Sequence, residues 1–357
     1  FTTTLTFDSL ARGGTTGTVT FVPIRGALGT EERFTFTSSL SNANGIAGTW
    51  AVHAMSGSNN AASYITGGVT SVSGYNYGAD TGDIDTVAGS TQVFNAGAIG
   101  GTLTADRSVF AFRTDASINL GSFILSVGDS ATPANGAGII LNGGADITGG
   151  AGGQINIGNT ALSLYVDDAA VSSLNAPVAN LRNNAANTLT TVFTKFGPGT
   201  LEIGAMQTFQ GNIELNRGTL SLTAPNVLPM FGNLNVLTGS TLILSPGTSV
   251  VLNDNNQEFG NISAVNPSNS FQFSAGTLDL GNAVLVVGRE GTSKTFNAQI
   301  LGGAGSRITK VGGGTLTLAG TNTYNGTTSV NAGVLQVQNG AAIDDAAGAV
   351  NVANLAT

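Results

Sequence analysis

The residues that could do chemistry in this chain are few. Its single histidine, His53, lies in Trp50-Ala-Val-His-Ala-Met. One imidazole leaves no multi-histidine metal centre, and its apolar neighbours point to a packing or surface role rather than to a His-dependent triad. Asp80, Asp83 and Asp85 form Asp-X-X-Asp-X-Asp in a Gly-flanked loop, where oxygen ligands at that spacing could hold calcium. The spacing is not that of an EF-hand and no Gly-Gly-X-Gly-X-Asp nonapeptide recurs, so the plain alternative is a solvated acidic loop. Asp167-Asp168 and Asp344-Asp345 are adjacent carboxylates, which on a strand point to opposite faces and cannot readily act together as a glycosidase acid and base. Arg289, Lys294, Arg307 and Lys310 are scattered among Gly-rich turns with no acidic cluster beside them, unlike the charged face that a polysaccharide-cleaving β-helix needs. Gly149-Gly-Ala-Gly-Gly153 and Gly302-Gly-Ala-Gly305 lack the Lys-Ser/Thr and the helix that a phosphate loop requires, and read as turns. Beyond the calcium candidate, the sequence calls for no cofactor and no enzymatic activity.

The elements that would position these residues follow from composition and pattern. The chain is 41% hydrophobic but only 9% charged, against about a quarter charged in ordinary domains, and Gly fills 52 positions. It can bury a core, yet strong helix formers are scarce and no stretch sustains an apolar period near 3.6 residues. Cysteine is absent, so packing and backbone hydrogen bonds must hold the fold. A net charge of -8 opposes phosphate, and nucleic acid is not an expected partner. No run of apolar residues has the length of a transmembrane segment, and Phe1 opens no signal peptide, as expected of a mature or excised segment.

A five-residue phrase, Gly or Ser followed by a small-Leu-X-Leu pattern, starts at Gly199, Gly218, Ser240, Gly276, Gly314 and Gly333. The starts lie 19, 22, 36, 38 and 19 residues apart, which predicts rungs of about 19 residues if the long gaps are double. Within a phrase, Leu316 and Leu318 alternate with Thr315 and Thr317, the period-2 signature of a strand buried on one face. Asn-Gly pairs at Asn44, Asn135, Asn142, Asn325 and Asn339 supply turns. Hairpins in a sandwich would also use such turns, but repeated phrases favour an all-β, right-handed parallel β-helix, with Leu stacked on Leu. Shifted by 115 residues, Thr194–Leu222 aligns with Thr309–Val337 without a gap, and 11 of 29 positions are identical. These include Lys195/Lys310, Gly199/Gly314, Leu201/Leu316, Gly218/Gly333 and Leu220/Leu335, with Phe209 opposite Tyr324.

From Lys310 to Gln336 the sequence, with its Gly-rich turn, Thr-Leu-Thr-Leu, Asn-Thr-Tyr turn and Val-Asn-Ala-Gly-Val-Leu, resembles the autotransporter-associated β-strand repeat, also called the passenger-associated transport repeat. The copy at Lys195 is degenerate, since Pro198 and Glu202 intrude and Phe209 replaces the tyrosine. Arg113–Gly121 and Ala275–Leu280 resemble the linking rungs of large surface proteins that carry this repeat. The resemblance implies a β-helical passenger on or outside a Gram-negative-type cell, and no single activity. Equivalent repeat positions give Lys195 and Lys310 a packing or turn role.

Residues 1–95 differ from the rest: they hold Trp50, His53 and three of the five tyrosines and lack the clear phrase. They are expected to be irregular early rungs with excursions, or a cap, ahead of a solenoid over residues 96–357. The expected function is that of an extracellular structural rod. Its strand-like ends, Phe1–Phe7 and Val350–Leu355, would continue into further repeats or stack head to tail into a filament. A second reading is an adhesin whose Trp50, Tyr64, Tyr75 and Tyr77 offer aromatic platforms to glycans. A polysaccharide-cleaving β-helix ranks last.

Overall fold

The computed structural model describes every residue except 1–2, 13–16, 23–31, 54–61, 72, 129–134, 168–170, 181–190, 229–240, 260, 265–275, 339–342, 344–348 and 354–357. Asp168 and the Asp344-Asp345 pair therefore lie outside the described residues, as does Ser240. The all-β, parallel β-helical class read from the sequence is the one observed. Among the described residues there is no α-helix, a 3-10 turn spans Ile84–Thr86, and no helix is long and apolar enough to cross a membrane. The chain forms two compact units: Phe1–Leu189 with Phe196–Thr200, and Thr190–Lys195 with Leu201–Thr357.

The first unit begins irregularly. Thr3–Phe7 pairs in parallel with Glu32–Phe36, while Val19–Phe21 pairs with Ala51–His53, which takes an antiparallel partner in Ser63–Tyr64. From Gly89–Gly97 onward its strand pairing is parallel and the chain coils. Arg107–Thr114 carries two sides of a coil in one long strand. Its first half pairs with Ile124–Val127 and its second half with Ala137–Leu141. A further side stacks Gly101–Thr102, Ile118–Asn119, Ile147–Thr148 and Ser172–Asn175. Ile118, Ile147 and Leu174 stand in register and are fully buried, as are Leu125, Ile155 and Val178 on another side.

In the second unit the chain visits three strands per coil from Ser249 onward. One coil runs through Ser249–Val251, Gln257–Phe259 and Asn261–Ala264, and the next through Thr277–Asp279, Val284–Val287 and Lys294–Phe296. Inward positions form columns: Leu220, Val250, Leu278 and Ile300 on one side, Ile213, Leu242 and Ile262 on another, all fully buried. Burying each such side chain is worth about 1.5–3 kcal/mol, so the columns supply most of what opposes chain entropy.

The even rung of about 19 residues does not hold. Neighbours in register are 19 residues apart at Leu316 and Leu335, 22 at Leu278 and Ile300, 28 at Val250 and Leu278, and 30 at Leu220 and Val250. The phrases also sit on different sides. Leu220 and Leu278 share one side of the coil, while Leu242, Leu316 and Leu335 lie on another. The reason is that every side of a coil needs the same apolar alternation, so the phrase marks one strand and not one turn of the helix. Turn length then varies freely between strands.

Column packing and outward positions should respond differently to truncation. Leu278→Ala is expected to cost about 2–5 kcal/mol in urea unfolding, with a cavity left between Val250 and Ile300. Thr277→Ala, on the half-buried outward side, should change stability by about 0.5 kcal/mol or less.

Candidate functional site

The three aspartates of the acidic loop do not converge on a common point. Asp80 Oδ1 accepts from Gln92 Nε2 at 2.6 Å, and Asp83 Oδ1 caps the 3-10 turn by accepting from the Asp85 backbone N–H at 2.9 Å. Asp85 takes Arg107 Nε at 2.9 Å together with the N–H and hydroxyl of Thr104. The Arg107 and Thr104 donors hold the Asp85 carboxyl well below the usual carboxylate range. Among the described residues no group of three or more His, Asp or Glu side chains is arranged to hold a metal ion. Each carboxylate of the loop is instead engaged in fixing a turn.

Two tyrosines of the first unit face inward. Tyr64 is fully buried and donates to the Phe112 carbonyl at 3.2 Å, while Tyr77 accepts from Ser63 Oγ at 3.2 Å and packs edge-on to Tyr75 at 5.1 Å. Burial raises the Tyr77 phenol to about 12. Tyr64 and Tyr77 are thus core residues and not exposed platforms, which corrects the sequence expectation for them; of the four aromatics, Trp50 and Tyr75 are the ones left partly open. His53 is buried, burial lowers its pKa, and its Nε2 has no hydrogen-bond partner among the described residues. Asn142, read as a turn former, is buried and clamps the Ala62 backbone through both ends of its amide while donating to Asp115. Nothing in the spacing of Asn-Gly pairs distinguishes it from the others.

The basic residues are spent on structure too. Arg289 forms a two-bond ion pair with Glu258. Lys195 and Lys310, on the ends of Thr191–Phe196 and Arg307–Lys310, are both buried. Lys310 Nζ donates to the carbonyls of Val311, Gly312 and Ala332 at 2.8, 2.7 and 3.1 Å. Lys195 Nζ donates to the Arg217 carbonyl at 2.9 Å. Arg217 and Ala332 are themselves 115 residues apart, so the two lysines make the same contact in the two repeat copies. Each reaches from its own strand to the turn of the following coil, 22 residues on, just before Gly218 or Gly333. Both glycines have left-handed φ, 79° and 70°, and a Cβ on Gly333 would collide with the Gly312 carbonyl. The ammonium therefore fills the space inside stacked Gly turns and satisfies carbonyls that point away from any strand.

The other repeat residues frame this clamp. Gly314 passes so close to the Thr292 carbonyl that a side chain cannot fit, and Gly199 meets the Asp167 carbonyl in the same way. Leu201, Leu220, Leu316 and Leu318 are fully buried, and Leu335 is half-buried on the Val334–Val337 strand. Tyr324 is buried with its hydroxyl 2.7 Å from Thr328 Oγ1. Phe209, at the equivalent position, stacks on Phe193 with centroids 5.5 Å apart.

This repeated lysine, glycine and leucine geometry coincides with a known sequence family. The passenger-associated-transport-repeat model matches residues 193–222 and 308–337. The chain carries two passenger-associated transport repeats. A curated protein of Escherichia coli strain K12, described as probable autotransporter YfaL, is 30% identical over an alignment covering 42% of this chain. The alignment covers 12% of that protein's length. No solved structure matches the chain.

Two outcomes follow for the clamp. Replacing Lys310 by Met keeps the aliphatic stem but leaves three part-buried carbonyls without their donor, and is expected to destabilise the second unit by about 1–3 kcal/mol in urea unfolding. For Lys195, burial and then the neighbouring Arg217 charge lower the pKa from 10.5 to about 7. Between these values the unfolded chain binds the proton and the folded one does not, so stability should rise as pH goes from about 7 to 10.5. Melting curves at pH 7 and pH 9 should show that gain in the wild type and a smaller one in Lys195→Met.

Proposed function

We propose that this chain is a stretch of an autotransporter passenger, exposed on or outside a Gram-negative-type cell, whose work is structural: a stiff, non-enzymatic β-solenoid rod. The observation that carries this reading is the pair of transport repeats built on in-register columns. It is supported by the use of the ionisable side chains, since Lys195, Lys310, Asp83, Asp85 and Arg289 each hold a turn or a pair of strands. A framework of this kind resists bending because each coil is bonded to the next on three sides. Its outward Thr, Ser and Asn keep it soluble with little charge.

Exposed strand edges support a reading of how such a rod would grow. Val337, Val350 and Val352 are about half exposed on Val334–Val337 and Val350–Val352, as are Leu5 and Phe7 on Thr3–Phe7. Further coils of a longer chain, or a second copy stacked head to tail, would cover these apolar edges and satisfy their backbone groups. Electron microscopy of the purified chain should show elongated particles, and sedimentation velocity should show association that grows with concentration. Val350→Lys with Val352→Lys should abolish that association without lowering the melting temperature. Compact globular particles would contradict the rod, and a monomer at every concentration would contradict the stacking.

A further inference from the structure

Trp50 is the one tryptophan of the chain, and it does not complete its packing. One side of the indole leans on the cluster of Phe21, Phe36, Leu40, Ala51 and Ile65, within the first unit. The other side lines a cavity of about 410 Å³ shared with Leu10, Arg12, Ser41, Asn42 and Asn135. That size falls in the range of roughly 300–1,000 Å³ typical of small-ligand sites. The indole N–H has no hydrogen-bond acceptor among the described residues.

The walls are held in place by their own bonds. Asn42 Oδ1 accepts from the Gly45 N–H at 2.9 Å, which fixes the amide. Ser41 Oγ donates to the Ala47 carbonyl. Arg12 Nε donates to the Gly17 carbonyl at 2.9 Å, and Thr49 Oγ1 donates to the Asn135 carbonyl at 3.3 Å. Gly48 is required beside the ring, because a Cβ there would collide with Trp50 Nε1. The site is thus preformed, and binding would cost little ordering of the protein.

The lining chemistry selects the ligand. An indole beside the Asn42 and Asn135 amides and the Ser41 hydroxyl matches a molecule whose C–H groups lie on one face and whose O–H groups ring its edge. Among the described residues no carboxylate lines the wall, and Arg12 is its one charged residue. We infer that this cavity is a subsite for a single pyranose unit of a glycan, stacked on Trp50 and hydrogen-bonded by Asn42 and Arg12. This goes beyond the structural role proposed above, and neither depends on the other. A rod without sugar binding, or sugar binding without a rod, would be recognised by separate measurements.

Because Trp50 is the sole indole, its fluorescence reads the site directly. Methyl glycosides of glucose, galactose, mannose, N-acetylglucosamine and glucuronic acid are titrated into the full chain, with saturation-transfer NMR on the same samples. At least one should shift Trp50 emission saturably, with a dissociation constant on the order of 1 mM. Its ring protons should receive saturation, and Trp50→Ala should abolish the NMR signal while Met206→Ala keeps it. Asn42→Ala, at an exposed position, should weaken binding by about three- to tenfold, the worth of one hydrogen bond, and serves if Trp50→Ala fails to fold. No saturable change with any glycoside, or a signal that survives Trp50→Ala or is unchanged in Asn42→Ala, would overturn the assignment.

Discussion

Each coil of this protein depends on the coils above and below it, because a single turn of three short strands can neither pair its own backbone nor bury its own leucines. In-register parallel stacking meets both needs at once: the strand Thr277–Asp279 takes its hydrogen bonds from Ser249–Val251 and Gln299–Gly302, and the same register sets Leu278 between Val250 and Ile300. A one-residue slip would turn Leu278 outward and Thr277 inward. Register is therefore strongly specified wherever a column is buried, and the turns must deliver each strand to it without crowding their neighbours. Glycine answers that need at Gly312 and Gly333, where stacked backbones leave no room for a side chain. The repeat lysines answer the other half of it by filling the turn with an ammonium that binds carbonyls.

This arrangement explains how a chain with so little charge stays folded and ordered. Charges placed inside the turns, as at Lys310, have to satisfy several acceptors to offset their desolvation, and three backbone carbonyls do so. Charges on the outside pair across coils, as Glu258 does with Arg289.

Much of this was legible in the sequence because strand alternation is a local property. Leu316-Thr317-Leu318 shows its inward face without any tertiary information, and the 115-residue match placed Lys195 and Lys310 together. What was not legible depends on long-range closure. The phrase spacing could not reveal that Leu220 and Leu316 lie on different sides of the coil, since all sides share one pattern. Residue type alone did not show that Asp85 would turn to Arg107, or that Tyr64 would be sealed over Phe112, because both contacts are formed by chain folding back across 22 and 48 residues. The partial exposure of Trp50 was in the same class: its neighbours Arg12 and Asn135 are far from it in sequence.

The central claim is the stacked column, and a ladder of spin-label distances tests it most directly. Labels placed in pairs at Thr219, Ser249, Thr277 and Gln299 occupy successive half-buried positions in one register. Stacking predicts separations from Thr219 that grow by about 4.8 Å with each coil. Separations that fail to increase in that order would contradict the fold, and with it the clamp and the rod.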